Sequence, residues 1–234
     1  MSDKTLVITL DGPAGVGKST LARSLARGLG LAFLDTGAMF RCVACQLGET
    51  ALELADSALA ARLEKLEFSL VRPPSGSGDW ELACNGRVPG REIRGEAVGR
   101  LASRLAVRGP VREFLKLAQQ ELGRAYSLVA EGRDMGSVVF ASACCKFFLD
   151  ADPAVRARRR WLQLREQGVG GTDLPSPEEI ERQIRERDQQ DRSRTLAPLR
   201  PAEDAVIVDT SDLGLEQVLE RLLAAARRKM AACR

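Results

Sequence analysis

Histidine is missing from all 234 residues of the chain. That absence removes Ser-His-Asp and Cys-His nucleophilic sites, HExxH zinc sites and any imidazole general base, so the chemistry must run without imidazole. A basic surplus is missing too. Lys and Arg number 35 against 32 Asp and Glu, a net charge of +3, whereas a dedicated nucleic-acid binder carries a large excess. No apolar stretch approaches the length that crosses a bilayer. The opening MSDKTLVITLDG is too briefly apolar for a secretory leader, and the expectation is a cytoplasmic protein with no membrane partner. The six cysteines (Cys42, Cys45, Cys84, Cys144, Cys145, Cys233) form no small-domain disulfide framework. Cys42 and Cys45 are a lone C-x-x-C inside a helical stretch. Without a second pair or a histidine, zinc would lack two ligands, and buried or half-buried free thiols are expected.

What is present is enough to fold. With 44% hydrophobic and 29% charged residues, the chain can bury a core as one domain of ordinary size with room for an inserted lobe. Residues 6–10 (LVITL) read as a strand buried on both faces of a parallel sheet. From Ser19 the apolar spacing turns helical, Gly30 stands where a C-cap belongs, and residues 32–34 make a second strand, completing a βαβ unit. Helices are expected to Leu47 and again over 52–66. Residues 67–93 read as a small antiparallel lobe: strands at 67–72 and 79–84, a loop at 73–78, an Asn85-Gly86 turn and a return strand beginning at Arg87-Val88. Helices follow at 95–107 and 110–122, then strands at 127–130, 146–149 and 205–208. Charged helices are expected from Asp152-Pro153 to about 167 and over 178–194, separated by a loop at 168–177, with an amphipathic helix at 215–228. The count predicts an α/β doubly wound domain with five parallel strands flanked by helices.

The chemistry begins between the first strand and first helix. Gly12-Pro13-Ala14-Gly15-Val16-Gly17-Lys18-Ser19 fits G-x-x-x-x-G-K-[ST], in the strand-to-helix setting that gives the pattern meaning. The glycines let successive N–H groups curl around an anion, and the helix N-terminus adds partial positive charge. Lys18 reaches β- and γ-phosphates, and Ser19 is placed for Mg²⁺. Position 20 is Thr, which rules out the full dinucleotide fingerprint, and no Asn-Lys-x-Asp guanine-reading sequence is present, so ATP is the expected nucleotide.

Phosphoryl transfer through a loose, charge-rich transition state asks mainly for alignment and cations. Between Asp152 and Arg194 the chain carries ten arginines (156, 158, 159, 160, 165, 182, 185, 187, 192, 194) and no lysine. The forked guanidinium suits bidentate phosphate contacts, although Glu and Asp at helical spacing account for several of these residues as a solvated face.

DGPAGVGKST, DTGAMFR (35–41), EGRDMGSVVF (131–140) and RERDQQDRSRTLAPLRPAEDA (185–205) together resemble bacterial cytidylate kinase, of the nucleoside monophosphate kinase superfamily of P-loop kinases. The resemblance runs from Val7 to the last helix. It implies a CORE (1–35, 96–151, 195–234), a monophosphate-binding region (36–95) carrying the β insert, and a LID with its following arginine-rich helix (152–194). It also implies Mg-dependent conversion of CMP and dCMP with ATP to the diphosphates, by a monomer that binds no nucleic acid. Another small-molecule P-loop kinase, such as a uridylate or shikimate kinase, is the alternative.

The resemblance further implies roles. Gly12 to Thr20 (Gly12, Pro13, Ala14, Gly15, Val16, Gly17, Lys18, Ser19, Thr20) would bind the triphosphate. Asp134 would take the exocyclic amine of cytosine, with Arg112 and Ser103 reaching N3 or O2, a donor pattern that uracil reverses. Thr36, Arg187 and Asp191 would lie near the sugar, and Arg41, Arg133 and Arg194 on the acceptor phosphate. Arg159 and Arg160 would close over the donor phosphates, and Lys18, Arg133 and Arg194 would act with them in catalysis. Three positions depart from the usual pattern: Thr36 for Ser, Phe40 for Tyr and Glu131 for Asp. A hydroxyl survives at 36 and Phe40 is expected to pack, so activity should be retained. The glycines at 168, 170 and 171 suit a cover loop that moves.

Overall fold

The structure, a computed structural model, describes residues 5–72, 80–166, 168 and 174–232. In chain order the elements begin with β1 (Val7–Asp11), α1 (Lys18–Leu29), β2 (Ala32–Asp35), α2 (Thr36–Leu47) and α3 (Asp56–Leu63). Next come β3 (Phe68–Val71), β4 (Glu81–Cys84), α4 (Glu96–Leu105), α5 (Gly109–Ala125), β5 (Leu128–Gly132) and β6 (Cys145–Asp150). The chain then forms α6 (Pro153–Glu166), α7 (Pro177–Ser193), β7 (Val206–Asp209) and α8 (Leu215–Ala232).

Five strands make one parallel sheet in the order β2-β5-β1-β6-β7. Central β1 pairs on both sides, Val7 opposite Leu128 and Ile8 opposite Cys145. Its near-continuous apolar run follows from helices covering both faces. Alternate residues feed two cores. Ile8 and Leu10, with Phe33 and Val129, pack under Leu21 and Leu25 of α1 and Val218 and Leu222 of α8. Leu34, Leu128 and Ala130 pack on the other side against Met39 and Val43 of α2, Leu105 of α4, and Val111 and Leu115 of α5. Each fully buried leucine contributes about 2 kcal/mol by removing apolar area from water. A smaller cluster of Ala157, Ile180 and Ile184, flanked by Trp161 and Leu164, joins α6 to α7.

The expected helix over 52–66 is interrupted. A 3₁₀ turn covers Glu49–Leu52 and α3 begins at Asp56. The break is held by Arg108, whose guanidinium donates to the Leu52 carbonyl at 2.9 Å, the Leu54 carbonyl at 2.7 Å and the Asp56 carboxylate at 2.6 Å. Carbonyls that a helix would have paired are thereby satisfied from 52 residues or more away.

The inserted lobe reduces to the antiparallel pair β3–β4. Asn85 (φ +49°) and Gly86 (φ +73°) form the expected turn, but the return strand stops at a single bridge, Cys84 to Arg87. Pro89 follows two residues later and has no N–H to extend the ladder. The Pro/Gly/Ser loop at 73–78, the cover-loop glycines at 170 and 171, and Cys233 lie outside the described residues. Cys42 and Cys84 are buried free thiols, Cys145 is buried and Cys144 half-buried, but Cys45 is exposed, because α2 turns position 45 away from the face that buries position 42. Among the described residues no helix is long and apolar enough to cross a membrane.

Candidate active site

In a parallel sheet covered on both faces, ligands gather beyond the carboxyl ends of the strands, where loops meet helix N-termini. The chemically distinctive residues converge there. The loop after β1 turns through Gly12 (φ +147°), Gly15 and Gly17 (both φ +83°). At Gly12 a Cβ would stand 2.1 Å from the Leu149 carbonyl oxygen of β6, so the turn passes too close to the neighbouring strand for any side chain. Gly17 is the N-cap of α1 and carries no side-chain cap. The first N–H groups of that helix are therefore free to bind an anion. Lys18 is buried and its ammonium donates to the Pro13 carbonyl at 2.6 Å. Burial, with Arg133 close by, holds its pKa well below the ordinary lysine value. Ser19 and Thr20 are exposed at the mouth.

Two carboxylates sit beneath this loop. Glu131 of β5 accepts from the Ser19 hydroxyl at 2.6 Å, and burial, aided by the nearby Asp35 charge, pushes its pKa up to about 7. Asp11, at the end of β1, accepts from the Met135 N–H at 2.9 Å and the Gly136 N–H at 2.7 Å. Burial outweighs these bonds and pushes its pKa up to about 6. Asp11 thereby anchors residues 135–139, which form a turn of π-helix and carry the Gly-Arg-Asp-Met-Gly segment into the site.

On the far side of that segment the expected acceptor residues assemble. Arg112 of α5 makes a buried ion pair with Asp134 and also donates to the Ala106 carbonyl at 3.2 Å. Burial raises the Asp134 pKa, and the Arg112 charge opposes the rise. Arg112 lies 6.0 Å from the ring centroid of Phe40, so Phe40 packs as expected. These three residues, with Met135, Val139 and Leu196, help to line a cavity of about 340 Å³.

Asp191 of α7 gathers two further arginines. One oxygen accepts from Arg133 at 3.0 Å and the other from Arg194. Arg187 is exposed on the same helix within electrostatic range of Arg133, Arg41 and Lys18. Arg41 donates to the Ile93 carbonyl at 2.9 Å, and Thr36 donates to the Glu131 carbonyl at 2.6 Å.

Three expected residues stand apart. Ser103 spends its hydroxyl on the Gly99 carbonyl of its own helix at 3.1 Å and does not line the cavity. Arg159 donates to the Thr210 carbonyl at 2.6 Å and its hydroxyl at 3.1 Å, while Arg160 donates to the Gln163 side chain at 3.0 Å.

Arg156, counted among the ten arginines but not singled out, proves central. It is 2% exposed, pairs with Asp188 of α7 at 2.7 Å, and donates to the Ala14 carbonyl of the phosphate loop at 3.1 Å and the Ala151 carbonyl at 2.9 Å. Its flanks in Ala154-Val155-Arg156-Ala157 are small and apolar within an otherwise charged helix. That was the readable sign of a buried guanidinium.

A glycine-walled amide cradle at the tip of a buried parallel strand, its lysine folded over it and Arg156 of α6 bonded to its Ala14 carbonyl, defines a P-loop kinase. The comparisons narrow the class. The family model described as cytidylate kinase matches residues 8–228. A cytidylate kinase of Nitratidesulfovibrio vulgaris is 53% identical over 212 residues, 91% of this chain and 88% of that one. One from Maridesulfovibrio salexigens is 49% identical, covering 97% and 99%, and one from Pasteurella multocida is 42% identical, covering 95% of each. The chain belongs to the cytidylate kinase family.

Proposed function

We propose that the chain transfers the γ-phosphoryl group of ATP to the phosphate of CMP or dCMP, giving ADP and the cytidine diphosphate. The observation that carries this reading is the buried Arg112–Asp134 pair in the wall of the cavity of about 340 Å³. Cytosine presents an amine donor next to ring acceptors, and a pocket with one carboxylate beside fixed N–H donors complements that order.

In this reading residues 12–20 hold the triphosphate of ATP, and Lys18 carries charge to the β- and γ-oxygens. Arg133 and Arg194, clamped through Asp191, hold the acceptor phosphate with Arg41. Thr36, Arg187 and Asp191 face the sugar. Ser103 joins the base contacts only by rotating its hydroxyl off Gly99, and Arg159 and Arg160 reach the donor phosphates only when α6 closes. Residues 36–95 and 152–194 act as covers on a core formed by the rest. The loose transition state needs little base strength, so a site without imidazole suffices once the reactants are in line and water is excluded.

The donor set suits Mg²⁺. Ser19 and Glu131 offer hard oxygens, and no group of three or more acidic, histidine or cysteine residues able to hold a metal occurs among the described residues. Such a site leaves most of the coordination to phosphate and water, as this ion prefers. When bound, with Ser19 holding it and Glu131 beside it, the ion would supply positive charge that offsets the charge of the triphosphate. The protein acts as a monomer in the cytoplasm. An ADP-release assay with CMP, dCMP, UMP, AMP and shikimate tests the reading. Preference for the cytidine nucleotides is expected, and faster turnover of UMP or shikimate refutes it.

A further inference from the structure

Arg41 stands on α2, but its half-buried guanidinium is fixed by the chain that leads into α4. Nη1 donates to the Ile93 carbonyl at 2.9 Å and to the Gly95 carbonyl at 3.3 Å. Both bonds leave from the same nitrogen, so Nη2 and Nε keep donors for an anion. The group also lies within electrostatic range of a second cation, Arg187.

A glycine makes room for this arrangement. Gly99 is the fourth residue of α4 and its backbone lies outside the left-handed region, so alanine would fit its conformation. A Cβ added there would stand 3.0 Å from Nη2, 3.3 Å from Cζ and 3.4 Å from Nη1 of Arg41, its three nearest atoms. Three such similar distances mean that the guanidinium lies flat across the bare Cα. Glycine inside a helix is destabilising relative to alanine. At Gly28 of α1 and Gly123 of α5 that cost has a packing reason, because a Cβ would meet the Leu223 and Phe140 side chains of neighbouring elements. At Gly99 the obstacle is the flexible end of a single arginine.

We infer that Gly99 is a positioning residue for phosphoryl transfer: its missing side chain lets the Arg41 guanidinium lie against α4, aimed at the acceptor phosphate. The inference rests on the function proposed above. A methyl group at 99 would displace the guanidinium by a few tenths of an ångström and loosen its bonds to Ile93 and Gly95. A forked donor that meets phosphate in a fixed geometry is sensitive to such a shift.

Gly99→Ala separates positioning from folding because the two effects have opposite signs. The variant should fold and melt at the wild-type temperature or up to about 4 °C above it. Its KM for CMP should rise about tenfold, with KM for ATP unchanged. Inhibition by cytidine, which offers base and sugar without a phosphate, should be unaffected. In an Arg41→Met background the same substitution should leave KM for CMP where Arg41→Met alone puts it. Failure to fold or a lower melting temperature overturns the inference, since a methyl group that meets only Arg41 cannot unsettle the helix. An unchanged KM for CMP, an equal rise in KM for ATP, weaker inhibition by cytidine, or an effect that persists without Arg41 overturns it too. These results in an enzyme that phosphorylates CMP well refute this inference alone. A wild type preferring a different acceptor refutes the proposed function, and this inference with it.

Discussion

Removing Asp188 should damage the protein in a way that removing its partner as well repairs. Arg156 is buried, and of its contacts among the described residues only Asp188 carries a compensating charge; the Ala14 and Ala151 carbonyls are neutral acceptors. Asp188→Ala therefore leaves a guanidinium dry and unpaired, a change that costs about 3–5 kcal/mol in other proteins. The two retained carbonyl bonds place the loss near the low end, about 3 kcal/mol. For a chain of this length that lowers the melting temperature by about 6–12 °C. The intact pair is itself imperfect, because the second Asp188 oxygen, Oδ1, is buried without a partner. Its Coulomb gain barely offsets the desolvation of both groups, so Arg156→Met with Asp188→Leu should recover most of the stability. Urea unfolding of wild type, both single variants and the double variant closes the cycle. A loss below about 1 kcal/mol for Asp188→Ala, or losses that simply add in the double variant, refutes the reasoning. Because Arg156 also fixes the Ala14 carbonyl, Asp188→Ala should raise KM for ATP more than KM for CMP.

Two further outcomes can be measured alongside. Gly12→Ala should prevent folding or cost more than about 4 kcal/mol, since its Cβ would overlap the Leu149 carbonyl oxygen at 2.1 Å. Gly86→Ala has a positive φ but nothing within 4 Å and should cost only about 1–2 kcal/mol; comparable melting losses for the two variants contradict the packing argument. Asp11, with its pKa raised from 3.8 to about 6 by burial, stabilises the fold fully below about pH 4, and that contribution fades as the pH rises through 6. Measured by denaturant unfolding, the stability of wild type relative to Asp11→Asn should improve by about 2 kcal/mol between pH 7.5 and pH 4; a pH-independent difference rules this out.

How much of this was readable in the sequence depended on distance along the chain. The phosphate loop was legible because strand, glycines, lysine and helix are contiguous, and local spacing alone dictates what their backbone can do. The five parallel strands were legible as short apolar runs, although β7, at the sheet edge, is buried on neither face and leaves Ile207 exposed. Features made by long-range partners stayed hidden. Arg108 breaks the helix expected after Leu52 by capping carbonyls more than 50 residues away. Pro89 ends a return strand that Asn85-Gly86 on its own would have begun. The arginines divide on the same principle. Arg182 and Arg185 pair with glutamates three or four residues away on the exposed face of α7, as helical spacing foretells. Arg156 finds Ala14 across 142 residues, and no periodicity in α6 could have announced that partner.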